Sequence, residues 1–158
     1  MNAPAITTAQ QTASQPNMRG KIVDLEAAML ALPQADLPAK HHFSPGVYLR
    51  ELFIPKGTLL TGKIHLTEHL SILSQGEMLV WTEDGMKQVK ASTVVPSKPG
   101  AKRVGYALTD STWITVHHNP HNVQDVPALE KALVVDTFEQ FLEFTKQAQL
   151  QGGQGCLS

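Results

Sequence analysis

The chain has 158 residues and is poor in several features that would settle a function at once. It holds a single cysteine, Cys156, which excludes a disulfide framework and a cysteine metal site and fits a reducing compartment. No apolar run approaches the roughly 20 residues that a membrane-spanning helix needs. The first residues lack the basic start and apolar core of a secretory signal, so export by a signal peptide is not expected. Only 17% of residues are charged and the formal net charge is -1, which gives no general attraction to nucleic acid or to an acidic membrane. No Ser-His-Asp arrangement is visible. The glycines Gly152, Gly153 and Gly155 lie in a tail without the strand and helix that a phosphate loop requires.

What is present reads as one mainly β domain. Residues 1–20 are Ala-, Thr-, Gln- and Ser-rich and are expected to form an extended arm, since they cannot bury enough apolar surface to offset ordering. Residues 21–45 read as a helix followed by a polar connector. Ile22, Leu25, Met29 and Leu32 share one helical face, and Pro33 ends it. Residues 46–120 alternate short apolar segments with turn signals such as Pro55-Lys-Gly57 and Asp84-Gly85, which predicts a sandwich or barrel. Within it, residues 58–66 and 69–74 read as extended, and Lys98, Lys102 and Arg103 read as a basic loop. Residues 121–150 return to helix. Asp136-Thr-Phe-Glu139 has the form of a capping box, and 151–158 form a flexible tail.

The densest chemistry lies between Gly57 and Gly76. As a helix, His65-Leu-Thr-Glu68-His69 would match the H-x-x-E-H pattern of a zinc peptidase. The surrounding residues make no amphipathic face, and no third ligand is nominated. In an unbroken strand, residues 63, 65, 67, 69 and 71 share one side. His65 and His69 then face a barrel interior, while Ile64, Leu66, Glu68, Leu70 and Ile72 face out. Two imidazoles serve equally as metal ligands or as hydrogen-bonded interior histidines. In VHHNPH, alternation sends His117 and His118 to opposite faces, and His117 is the member that can face inward.

Gly57, His65, His69 and Gly76, followed by Pro96-Ser-Lys-Pro99-Gly100-Ala-Lys-Arg103, resemble the two motifs of the cupin superfamily. The strings HHFSPGVYLRELFIPKGTLLTGKIH, KPGAKRVGYA and WITVHHNP are similar to small cupin-like proteins of tailed phages, over roughly residues 40–120. The resemblance implies a cupin-type jelly-roll barrel (a double-stranded β-helix) with an N-terminal arm and helix and a C-terminal helix. It also implies a metal held by three histidines and a glutamate. Here His69 stands at the glutamate position, Lys63 and Arg103 stand at histidine positions, and His65 is retained.

Three functional readings follow. In the first, the chain is a non-catalytic virion component of decoration, adaptor or collar type. It would pair with itself as a homo-oligomer and dock on other virion proteins through its arm. It would reside in the virion or host cytoplasm, with no cofactor, nucleic acid or membrane partner. In the second, it is a metal-dependent cupin enzyme of the dioxygenase or isomerase class. A divalent transition metal would sit on His65 and His69, with a third ligand from His117 or Glu68. In the third, Lys63 and Arg103 contact an anion or sugar in the lumen.

Overall fold

The structure, a computed structural model, describes residues 17–82 and 84–152. The arm predicted for residues 1–20 therefore lies almost wholly outside the described residues, as do Cys156 and the tail from 153 onward.

The chain opens with helix α1 (Met18–Leu30), whose N-terminus is capped by Asn17: its Oδ1 accepts from Gly20 N at 2.9 Å. Nine strands of two facing sheets follow, interrupted by one short additional strand. They are β1 (Ala39–Ser44), β2 (Gly46–Ile54), β3 (Leu59–Thr61), β4 (Ile64–His65), β5 (His69–Gln75), β6 (Glu77–Thr82), β7 (Gly85–Lys90), β8 (Thr93–Ser97), β9 (Val104–Ala107) and β10 (Ser111–Asn119). Helix α2 (Val126–Leu133), strand β11 (Val134–Val135) and helix α3 (Phe138–Gly152) complete the described chain.

One sheet has the order β1-β2-β10-β5-β8, the other β3-β9-β6-β7, and β11 pairs with β4 in a two-stranded ribbon. Every pairing is antiparallel. Strands that are distant in sequence lie side by side, in the double-sheet jelly roll expected from the sequence. The alternation of β2 drives the packing. Tyr48, Leu52 and Ile54 are buried, whereas Val47 and Phe53 on the opposite face are exposed. Leu52, Ile54 and Leu73 from the larger sheet meet Met78, Val80 and Ala107 from the smaller one, with Trp113 packed against them. This apolar floor lies toward one end of the barrel. Near the other end, Leu129 and Leu133 of α2 cover Tyr48.

Several local expectations need correction. The connector ending at residue 45 contains β1, in which His41 Nδ1 lies 2.8 Å from the Tyr48 hydroxyl. The extended run 58–66 is divided between β3 and β4. Ile64 and Leu66, expected to face outward, are buried beneath the C-terminal segment, where Leu66 N donates to Leu133 O at 2.8 Å. The capping box begins one residue later than read. Gln140 N donates to Thr137 Oγ1 at 3.3 Å, and Gln140 Oε1 accepts from Thr137 N at 3.1 Å. Finally, the basic loop is solvated only in part: Lys98 is exposed, whereas Lys102 is buried against Glu26 of α1.

Candidate functional site

Three histidines meet inside the barrel. His65 ends β4, His69 opens β5 and His117 lies on β10, which is the neighbour of β5 in the sheet. Between His65 and His69 the strand is broken by Leu66-Thr67-Glu68, so the unbroken alternation assumed from the sequence does not exist. The loop nevertheless returns His69 to the interior, because β5 restarts with His69, Ser71 and Leu73 on its buried face. Glu68 is exposed and is not part of the group, which removes it as a ligand. The helical H-x-x-E-H reading fails for the same reason: both histidines are on strands.

One ring nitrogen from each histidine lies within 4.8 Å of the others. The ring centroids of His65 and His69 are 3.8 Å apart, and His117 is 5.2 Å from His65 and 5.0 Å from His69. His65 Nδ1, His69 Nε2 and His117 Nδ1 are buried and have no hydrogen-bond partner. The tautomer of His69 is set by its backbone: Nδ1–H donates to Thr67 O at 3.3 Å, which leaves the Nε2 lone pair facing inward.

Electrostatics keep the three rings neutral. Burial lowers the pKa of His65 to about 3, helped by His69, His117, Arg103 and Arg50. Burial likewise lowers His117 to about 4, with His69 and Arg50 adding to the shift. His69 is also lowered by burial, and the bond to Thr67 works against the shift. Neutral imidazoles with free lone pairs are the protonation state that metal binding requires.

His65 and His117 border a cavity of about 360 Å³ between the sheets. Arg103 lines it, as the sequence suggested, and is anchored by hydroxyls: Nη2 donates to Ser97 Oγ at 2.8 Å and Nη1 to Ser71 Oγ at 3.5 Å. Lys63 touches the cavity too, but its exposed ammonium lies 3.4 Å from Asp136, so its charge is directed to that carboxylate. No sequence motif singles out Arg50 or Thr115. Their signal was position, since Arg50 alternates with Tyr48 and Leu52 on β2, and Thr115 precedes His117 by two on β10. His118 and His121 are exposed and take no part.

No protein-family model and no curated protein matches the sequence. Solved structures similar to the chain include a cupin superfamily protein from Desulfitobacterium hafniense, with 11% identity and a TM-score of 0.46, covering 58% of this chain and 85% of that one. KdgF from a Halomonas species has 14% identity and a TM-score of 0.46, covering 52% and 80% respectively. An RmlC-like cupin from Shewanella frigidimarina has 15% identity and a TM-score of 0.46, covering 56% and 78%.

Proposed function

We propose that this chain is a metal-dependent jelly-roll enzyme, in which His65, His69 and His117 hold a divalent transition metal beside a small molecule in the cavity. The observation that carries this reading is three histidines that each bring one ring nitrogen within 4.8 Å of the others and that each hold a buried ring nitrogen without a hydrogen-bond partner. A buried polar atom left without a partner costs about 1–3 kcal/mol. One ion shared by the three imidazoles would supply a partner to this cluster, and the set of donors suits a first-row transition metal.

When bound, such a metal supplies Lewis acidity, and three protein ligands leave coordination positions open. The chain's own residues do the rest. The Thr67 carbonyl orients His69, apolar walls keep water from the floor of the cavity, and Arg103 places a positive charge near the histidines. That charge opposes a dication, so the site relies on neutral rings and on any anion that joins it. Dioxygenation and isomerisation are the reaction classes that the cupin resemblance offers.

A virion role rests on the wording of the sequence alone, and nothing in the geometry adds to it. For self-association we propose the outer face of the five-stranded sheet as the contact between two copies. Phe53, Leu70 and Val94 are exposed there, and Leu49, Val116, Leu70 and Pro96 run in register across four strands.

Elemental analysis of protein purified without chelator tests the metal reading. Near-stoichiometric metal in the wild type, lost in His69→Ala and His117→Ala, is the expected result. A wild-type chain that stays metal-free after dialysis against iron, manganese, nickel, copper and zinc would overturn it. Equal loading of the histidine variants would do the same.

A further inference from the structure

We propose that Arg50, Arg103 and Thr115 bind the carboxylate of a small organic acid whose apolar body lies on the floor of the same cavity. The proposal deepens the metal-enzyme reading by naming its substrate class, and it rests on taking the cavity beside the histidines as the ligand site.

The register of the larger sheet arranges its inner face in rows. Tyr48 pairs with His117 in the histidine row. In the next row Arg50 pairs with Thr115, and Thr115 with Ser71. Beyond that, Leu52 pairs with Trp113, and Trp113 with Leu73. A polar band therefore lies between the histidines and the apolar floor. Arg103 reaches the same band from the segment before β9 through its bonds to Ser71 and Ser97.

The hydrogen-bond donors in this band are not used up. The Arg50 side chain forms no hydrogen bond or ion pair among the described residues, although it is half-buried and lines the cavity. Arg103 has only two hydroxyl acceptors for its five N–H groups and no carboxylate. Thr115 is 7% exposed, and its buried Oγ1 has no partner. Buried hydroxyls and partly buried guanidiniums are normally satisfied, so this group has donors free for an anion. The charges lining the cavity point the same way. Among the described residues Glu130 is its only carboxylate; it is exposed and pairs with neither arginine. Lys63 is engaged by Asp136. Both guanidiniums act on His65, and Arg103 acts also on His69 and Arg50 on His117.

A planar carboxylate suits guanidinium forks, which offer paired parallel N–H bonds. Inorganic phosphate would satisfy the charge but leave the floor of Leu52, Ile54, Met78, Val80 and Trp113 unused. The row order therefore favours an amphipathic acid, with its charged end at the arginines and within reach of the histidines.

Calorimetric titration of the full chain with hexanoate, 1-hexanol and inorganic phosphate tests this, using both metal-loaded and chelator-treated protein. Hexanoate is expected to bind once per chain in both forms, with 1-hexanol and phosphate weaker by about tenfold or more. Arg50→Gln should weaken hexanoate by a similar factor, and Arg50→Lys should recover only part of it, because an ammonium lacks the fork. The Arg50 side chain has no hydrogen bond to lose among the described residues, so its variants are expected to keep the fold, which thermal melting checks. Arg103→Gln, checked by thermal melting, should behave alike. Hexanoate binding that is absent, unchanged in both glutamine variants, matched by hexanol or exceeded by phosphate would overturn the proposal. Metal uptake without hexanoate binding removes the carboxylate site and leaves the metal reading standing. Arginine-dependent binding in a chain that takes up no metal supports the carboxylate site and removes the metal.

Discussion

Lys102 Nζ lies 2.8 Å from Glu26 Oε2, in a pair whose lysine side chain is only 5% exposed. Glu26 also accepts from Thr61 Oγ1 at 2.9 Å. Helix α1 buries just Ile22 of its apolar residues, so this polar contact fastens it to the barrel, while Arg19, 3.5 Å over the Phe138 ring, ties it to α3. Glu26→Gln leaves the lysine charge desolvated without a counter-charge. Urea denaturation should show a loss of about 2–4 kcal/mol. The double variant Glu26→Leu/Lys102→Met should recover most of it, because removing both charges removes the unpaired one.

Gly76 and Gly57, the two glycines that bound the histidine-bearing stretch, should respond very differently to alanine. Both have positive φ, +86° and +80°. A Cβ at Gly76 would lie 2.3 Å from Asp110 O and Ser111 Oγ, whereas one at Gly57 would meet nothing within 4 Å. Gly57→Ala is expected to cost about 1 kcal/mol from backbone strain alone. Gly76→Ala adds a clash with backbone and should cost more than about 3 kcal/mol, enough to move the denaturation midpoint clearly or prevent folding.

Acid should weaken the chelator-treated protein through its interior histidines. Their folded pKa values lie below the unfolded value near 6.5, so the unfolded chain takes up protons first. The stability they contribute is complete above pH 6.5. It is lost as pH falls toward about 4 for His117 and about 3 for His65. Within that window each group costs about 1.4 kcal/mol per pH unit. Melting temperature against pH should therefore fall less steeply for His117→Gln than for the wild type.

Metal binding to the folded chain alone should raise stability by about 2.7 kcal/mol at free metal a hundredfold above Kd. For a chain of this size that is an increase of about 8 °C in melting temperature. The increase should vanish in His117→Ala and shrink as pH drops below the window just described.

The sequence displayed the frame of the fold through local signals. Alternation in β2 and β10 and the Asp84-Gly85 turn place those strands directly. Strand β1 stayed hidden because Ala39 to Ser44 is polar and lacks β-branched residues, and its pairing with β2 supplies what propensity does not. The site was less legible. His65 and His69 were paired for a reason, an unbroken strand, that the Leu66-Thr67-Glu68 loop contradicts. The joining of His117 to them depends on β10 lying beside β5, which no local pattern encodes. Lys63 and Arg103 looked equivalent as cations in a barrel. They differ because Asp136, far along the chain, engages the first, while Ser71 and Ser97 hold the second inside.

Strand β4 has a consequence for how the protein is made. Its hydrogen-bonded partner is β11, with His65 opposite Val134, and His117 arrives only with β10. A nascent chain emerging from the ribosome thus holds His65 and His69 long before the residues that fix them. Unlike a zinc finger, whose ligands are close in sequence, this barrel gains no early nucleus from an ion. Its folding rate is governed by closing long loops. A metal held by the three histidines would load after folding, so the ion acquired would depend on which metals are freely exchangeable in the compartment where the last strand docks.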